Sequence, residues 1–228
     1  MGLKYLVSYA SPEFDPYRNR LNASALVFGI DRVISYRPSD ILGTEFYRNN
    51  KKILDQPKGA GYWIWKPYVI LDAMLTKAEE GAVIVYSDAD SEFYNDLHPL
   101  FTICEAQGGT LLFKTMSFLN RSWTKRDCFI LMGCDTPEYW DAEQIWAGFS
   151  IFINNERSRS LIKEWLHYCM NEHIITDSNN CCGLDNFPDF IDHRFDQSVL
   201  SLLAVKNRIN VFKDLQLQFL RPDRKWNS

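Results

Sequence analysis

The run Gly81-Ala-Val-Ile-Val-Tyr-Ser-Asp-Ala-Asp90 constrains this chain more than any other segment. Ala82 to Tyr86 are continuously apolar and rich in Val and Ile, which suits a strand covered on both faces in a parallel sheet. The strand then stops in two carboxylates one residue apart, Asp88 and Asp90. They leave the carboxyl edge of the sheet together, where open α/β sheets take their ligands. Two like charges so placed repel unless a cation sits between them, and hard divalent ions prefer carboxylate oxygens plus ligand phosphates. The pattern predicts an Asp-x-Asp clamp that holds Mn²⁺ or Mg²⁺ against a nucleotide diphosphate. Asp90 is the more direct metal ligand in this reading, and Asp88 lies nearer the ribose. The bland alternative is a pair of aspartates that solvate a turn or cap a helix.

The rest of the chain has a β-α-β rhythm. A strand is expected over Tyr5–Tyr9. Asp15-Pro16 then opens a helix whose stripe is Tyr17, Leu21, Ala25 and Phe28, and Gly29 stops it. Asp31–Tyr36 reads as the next strand. The polar segment from Arg37 to Gly59 is expected to cross the surface with one short helix. Pro67 opens a helix with Ile70, Leu71, Met74 and Leu75 inward. Further strands are expected at Thr110–Lys114 and Phe149–Phe152, and a helix start at Thr124–Asp127. Leu161, Ile162, Trp165, Leu166 and Cys169 form one apolar helix face. Asn171 to Asp192 is polar and turn-rich, and reads as a mobile loop. A last helix covers Asp196–Val205, with Val199, Leu202 and Leu203 inward. The expected fold is a single α/β domain over residues 1–228 with a mixed, mostly parallel, Rossmann-like sheet flanked by helices. Its nucleotide-binding half is residues 1–115 and its acceptor half 116–228.

A chain of 228 residues is long enough for one such core and short for two. Its net charge of −4 argues against a nucleic-acid binder, which is usually basic. Neither a secretory signal nor a run of about 20 apolar residues is visible, so the expected location is the cytoplasm. The six cysteines show no C-x-x-C pair and read as reduced thiols, adjacent Cys181-Cys182 included. Residues 221–228, with three basic side chains, raise peripheral contact with an anionic membrane face as a further expectation.

Other residue types support a ligand site. Lys66 precedes Pro67 at a helix start, where free N–H groups favour anions, so it is a candidate diphosphate contact. The alternative is an exposed lysine whose stem packs on Trp63 or Trp65. Gly59 and Gly61 permit close backbone approach without completing a phosphate-loop fingerprint. Trp146-Ala-Gly148 places small residues at a strand entry, leaving room for a ligand or for tight packing. Asp196 and Gln197 project from a helix start toward the sheet edge, with an ordinary cap as the plain alternative for Asp196. His193 beside them is a lone histidine, more often structural than a metal ligand.

Taken together, Tyr9-Ala-Ser11, Gly61-Tyr-Trp-Ile-Trp-Lys-Pro67, Asp88-Ala-Asp90, Trp146-Ala-Gly148 and His193-Arg-Phe-Asp-Gln-Ser198 resemble the small GT-A-fold nucleotide-sugar glycosyltransferases of bacterial polysaccharide clusters and large algal viruses. The resemblance spans most of the chain and rests on the ordered set, not on any one motif. It implies that a UDP-sugar is gripped by Tyr9, Ala10, Ser11, Lys66, Asp88, Ala89, Asp90 and Gly148, with Asp88 and Asp90 holding the metal. It further implies a glycan or lipid-linked acceptor received by the other half. Asp196 is then the first choice of base, with Gln197 on the acceptor side and Asp192 or Asp189 behind. A carboxyl-terminal His-x-x-Gly…Lys-Pro element found in one retaining family is missing, which leaves the stereochemical outcome open.

Three rivals differ at identifiable residues. A haloacid-dehalogenase-type phosphatase usually carries Thr or Val two residues past its second Asp, and Glu92 stands there. A sugar nucleotidyltransferase needs a glycine-rich basic loop after the first strand, and none is present. A silent carbohydrate- or nucleotide-sugar-binding protein of the same fold differs only in lacking turnover.

Overall fold

The computed structural model describes residues 2–222. In chain order its main elements are β1 (Lys4–Tyr9), α1 (Asp15–Val27), β2 (Arg32–Tyr36), α2 (Trp65–Thr76), β3 (Val83–Ser87), β4 (Ser91–Phe93) and α3 (His98–Ala106). There follow β5 (Thr110–Leu119), α4 (Arg126–Leu131), β6 (Glu143–Ile153), α5 (Glu156–Cys169), α6 (Phe195–Lys206), β7 (Val211–Lys213) and β8 (Leu220–Pro222). Six strands form one sheet in the order β2-β1-β3-β6-β5-β7, and β4 pairs with β8 in a separate ribbon. β1 runs parallel to β2 and β3, whereas β6 runs antiparallel to both β3 and β5.

The alternation of β3 explains how this sheet is covered. Ile84 and Tyr86 face one apolar core with α2, α5 and α6, while Val83 and Val85 face a second with α1 and α3. A strand buried on both sides has no polar positions until it ends, so its continuous apolar run is what the sheet requires. Side chains two residues apart share a face. Asp88 therefore continues the Ile84–Tyr86 side, toward α2 and α6.

Some expectations need correction. The segment from Arg37 contains three short helical turns, Pro38–Ile41, Glu45–Asn49 and Lys51–Leu54, rather than one. Leu75 is exposed, and Val69 and Ala73 fill its expected place on the inner face of α2. The segment after Asn171 is fastened rather than loose. Asp177 accepts hydrogen bonds from Lys58 and Tyr62 at 2.7 and 2.8 Å, and the Cys181 and Cys182 amides donate to Asp127. Arg221 and Pro222 belong to β8, and the remainder of the expected membrane-contacting tail lies outside the described residues. Among the described residues no helix is long and apolar enough to cross a membrane.

Candidate active site

The carboxyl ends of the neighbouring strands β1 and β3 open into a cavity of about 540 Å³. Tyr9, Ala10 and Ser11 line it from β1, and Asp88, Ala89 and Asp90 from β3. The Tyr9 ring stacks on Trp65 with centroids 4.0 Å apart, giving the cavity an aromatic wall. Tyr9 and the Asp-x-Asp segment come together because β1 and β3 are parallel and in register, so both end at one edge.

The facing wall is an unusual piece of backbone. Five consecutive residues, Gly59 to Trp63, have φ between 49° and 97°, which makes one left-handed helical turn. Such a conformation costs about 1–2 kcal/mol for each residue bearing a Cβ, and Ala60, Tyr62 and Trp63 all do. Glycine is required at position 61, where a Cβ would lie 2.7 Å from the Leu54 Cα. The turn is held by the Trp65 indole donating to the Gly59 carbonyl (2.9 Å), by Tyr62 on Asp177, and by Trp63 stacked on Phe195. Gly59 and Gly61 thus serve a left-handed turn, and Gly59, Ala60 and Trp63 line the cavity.

Beneath the cavity lies a buried charge cluster. Lys66, in the first turn of α2, is 3% exposed, and its Nζ lies 3.2 Å from Asp88 Oδ1 and 3.5 Å from Asp196 Oδ2. It also donates to the Ala147 carbonyl at 3.2 Å. Asp88 Oδ1 accepts a 2.7 Å hydrogen bond from the Tyr86 hydroxyl, from the same strand face. Burial pushes the Asp196 carboxyl up to about 7 against the pull of Lys66. Burial works against the Lys66 charge, but Asp196 and Asp88 outweigh it and hold the ammonium above its usual range. Lys66 is neither the exposed lysine nor the outward phosphate contact expected of it. Its charge is spent between two carboxylates, and it does not line the cavity.

The remaining candidates separate. Gly148 lies against Asp88: its carbonyl accepts from the Asp88 amide at 2.9 Å, and a Cβ there would lie 2.8 Å from Asp88 Oδ2. Gln197 is half-buried and engaged by β6. It donates to Gln144 Oε1 at 2.8 Å and accepts from the Ala147 amide, bracing β6 just before Gly148. Asp196 is buried below the cavity, not at its wall, so it reaches the cavity only through Lys66 and Asp88. Asp192 accepts from the His193 amide and lines a second, polar cavity instead. Asp189 is tied to Arg121 and Ser122. His193 is buried, with Nε2 on the Ile174 carbonyl and Nδ1 receiving the Lys125 amide. Burial, then Lys125, depresses its pKa to about 3, and both nitrogens are engaged, so it is no metal ligand here.

Tyr86 is the cluster residue that sequence reasoning passed over, although its place two residues before Asp88 puts it on the same strand face. Trp63 figured in the sequence only as a packing partner for the Lys66 stem and within the Gly61–Pro67 motif. For a divalent ion the residue types fit: Asp88, one-third exposed, and Asp90 both line one cavity, and carboxylates are the hard oxygen donors such an ion takes.

No described protein family and no curated protein sequence matches the chain. Its fold is nevertheless one that glycosyltransferases have. Mouse xyloside xylosyltransferase 1, in its apo form, matches 93% of this chain and 86% of its own, at 12% identity and a TM-score of 0.51. The apo structure of WbbM, described as a bifunctional glycosyltransferase, matches 89% of this chain at 10% identity and a TM-score of 0.51. This chain spans only 37% of WbbM.

Proposed function

We propose that the chain is a metal-dependent glycosyltransferase that moves a hexose or related sugar from a UDP-sugar to a glycan hydroxyl, in surface-polysaccharide or glycoprotein glycan synthesis. One observation carries this reading: Asp88 and Asp90 enter a single aromatic-walled cavity at the carboxyl ends of two adjacent parallel strands. The fold shared with glycosyltransferases supports it.

The chain's own residues divide the work. Tyr9 and Trp65 offer flat faces for a base, and Ser11 a hydroxyl beside them. Asp88 and Asp90 would hold Mn²⁺ or Mg²⁺, which when bound supplies positive charge against the diphosphate leaving group. Lys66 fixes Asp88 from below. Asp196 acts as a positioning residue that keeps Lys66 charged and in place. Tyr86 completes the orientation of Asp88 by donating to Oδ1. Fixed charges in a partly dry site need little rearrangement as charge develops on the leaving group.

The test is a panel of UDP-hexoses incubated with the protein and Mn²⁺, with UDP release and transfer followed by mass spectrometry. We expect metal-dependent turnover that disappears with EDTA and in Asp90→Ala. Turnover that survives EDTA, or no UDP-sugar binding by calorimetry, overturns the reading.

A further inference from the structure

Away from the Asp88–Asp90 cavity, three residues distant in sequence converge. A carboxylate oxygen of Asp127, a ring nitrogen of His173 and the Sγ of Cys181 all lie within 4.8 Å of one another. No sequence spacing announces the set, because its members come from α4, from the short turn Glu172–Ile175 and from the segment after it.

The set is built, not accidental in its surroundings. Asp127 is fully buried, and both of its oxygens are oriented by amides: Cys181 donates to each at 2.9–3.0 Å and Cys182 to Oδ1 at 2.9 Å. Burial opposes its charge, but these amides and the two thiols outweigh that and hold the carboxyl below its usual range. The turn that carries His173 is capped by Asn171, which accepts from the His173 amide at 3.0 Å. That turn is joined to the start of α4 through His193, which bridges the Ile174 carbonyl and the Lys125 amide. One buried imidazole thus sets the distance between the elements bearing two of the three donors. The Lys125 ammonium is 3.9 Å from Asp127 and is engaged by the Ser178 carbonyl and hydroxyl.

We propose that Asp127, His173 and Cys181 form a zinc site that clips the 171–192 segment to α4. Thiolate, imidazole and carboxylate together suit Zn²⁺ far better than Mg²⁺ or Mn²⁺. Zinc bonds of about 2.0–2.3 Å place tetrahedral donors roughly 3.3–3.6 Å apart. Closing from the present separations takes about an ångström, within the rotamer freedom of the exposed His173 and Cys181 side chains. On binding, the Cys181 proton leaves to solvent, and the thiolate and Asp127 balance the ion's charge. Cys182, whose thiol faces Asp127 and the Leu184 carbonyl, stays outside the donor set. The clipped segment lines the second cavity, of about 680 Å³, along with Lys125 and His193.

The experiment uses the full chain carrying Asp90→Ala, so that the other carboxylate pair contributes no competing metal site. After chelator treatment and removal of the chelator, Zn²⁺ is titrated by calorimetry and Co²⁺ by absorbance. We expect one ion per chain and a thiolate-to-cobalt charge-transfer band that Mg²⁺ in excess does not displace. Cys181→Ser should abolish the band, and His173→Ala should weaken binding by at least the roughly 10–100-fold that loss of a mere outer partner costs. Cys182→Ser should retain the band, and far-ultraviolet circular dichroism should show all three variants folded. Failure to bind Zn²⁺, or a band that persists in Cys181→Ser, overturns the site.

Discussion

The ammonium of Lys66 lies 3.2 Å from Oδ1 of Asp88, at the point where β3 leaves the sheet. A buried cation placed under an acidic strand end does two things. It permits a carboxylate to stand beside buried Asp196, and it turns one Asp88 oxygen inward, so that the pair at the cavity is not equivalent.

Lys66→Met removes the cation and leaves Asp196 buried beside Asp88. Breaking such a pair costs about 3–5 kcal/mol. Urea unfolding should register that loss, and Lys66→Met combined with Asp196→Asn should recover a substantial part of it. Additive effects across Lys66→Met, Asp196→Asn and the double variant would show that the two side chains do not interact.

Stability should also depend on pH through Asp196. Its folded carboxyl titrates at about 7 instead of the ordinary 3.8, chiefly through burial. The native state keeps this proton across a window where the unfolded chain has lost it. The stabilisation is therefore fully present below about pH 4 and is lost as pH rises through about 7. Unfolding midpoints of Asp196→Asn should lack this decline, and a parallel slope in wild type and variant would assign it elsewhere.

Gly148→Ala tests the other side of Asp88. The added Cβ would meet Asp88 Oδ2 at 2.8 Å and the Trp146 indole nitrogen at 2.5 Å. Both are side-chain atoms that can shift, so folding should survive. Metal-dependent UDP-sugar turnover should fall by at least the factor of about 100 that misplacing a reacting group can cost. Wild-type turnover in this variant would remove Asp88 from the chemistry.

The left-handed turn makes two opposed predictions. Ala60→Gly, at a φ of 49°, should raise stability slightly, by no more than about 1 kcal/mol, as Cβ strain is relieved. Gly61→Ala should lower it by about 1–3 kcal/mol, since its Cβ meets backbone at Leu54. Thermal melts of the two variants against wild type decide both.

What could be read from the sequence was what depends on neighbours along the chain. β3 declared itself because a strand covered on both faces must be apolar throughout, and Asp88 and Asp90 follow directly from where it stops. The inner face of α6 was equally plain in Val199, Leu202 and Leu203. Lys66 was misjudged because its burial depends on Asp196, which arrives from another helix far along the chain. The turn at Gly59–Trp63 was hidden for a different reason: Tyr and Trp seldom take positive φ, and the partners that hold them there include Asp177 and Phe195, far along the chain. Asn171–Asp192 looked loose because its fastenings, Asp127 and Lys58, lie outside it.

The hydrogen bond from the Asp88 amide to Gly148 carries the β3–β6 ladder one step past the end of β3. A carboxylate borne on a free loop would have to be immobilised anew at each encounter with a charged guest. Here that immobilisation is inherited from the sheet itself, so affinity at this position should track ionic strength and guest charge more than any reordering of the protein.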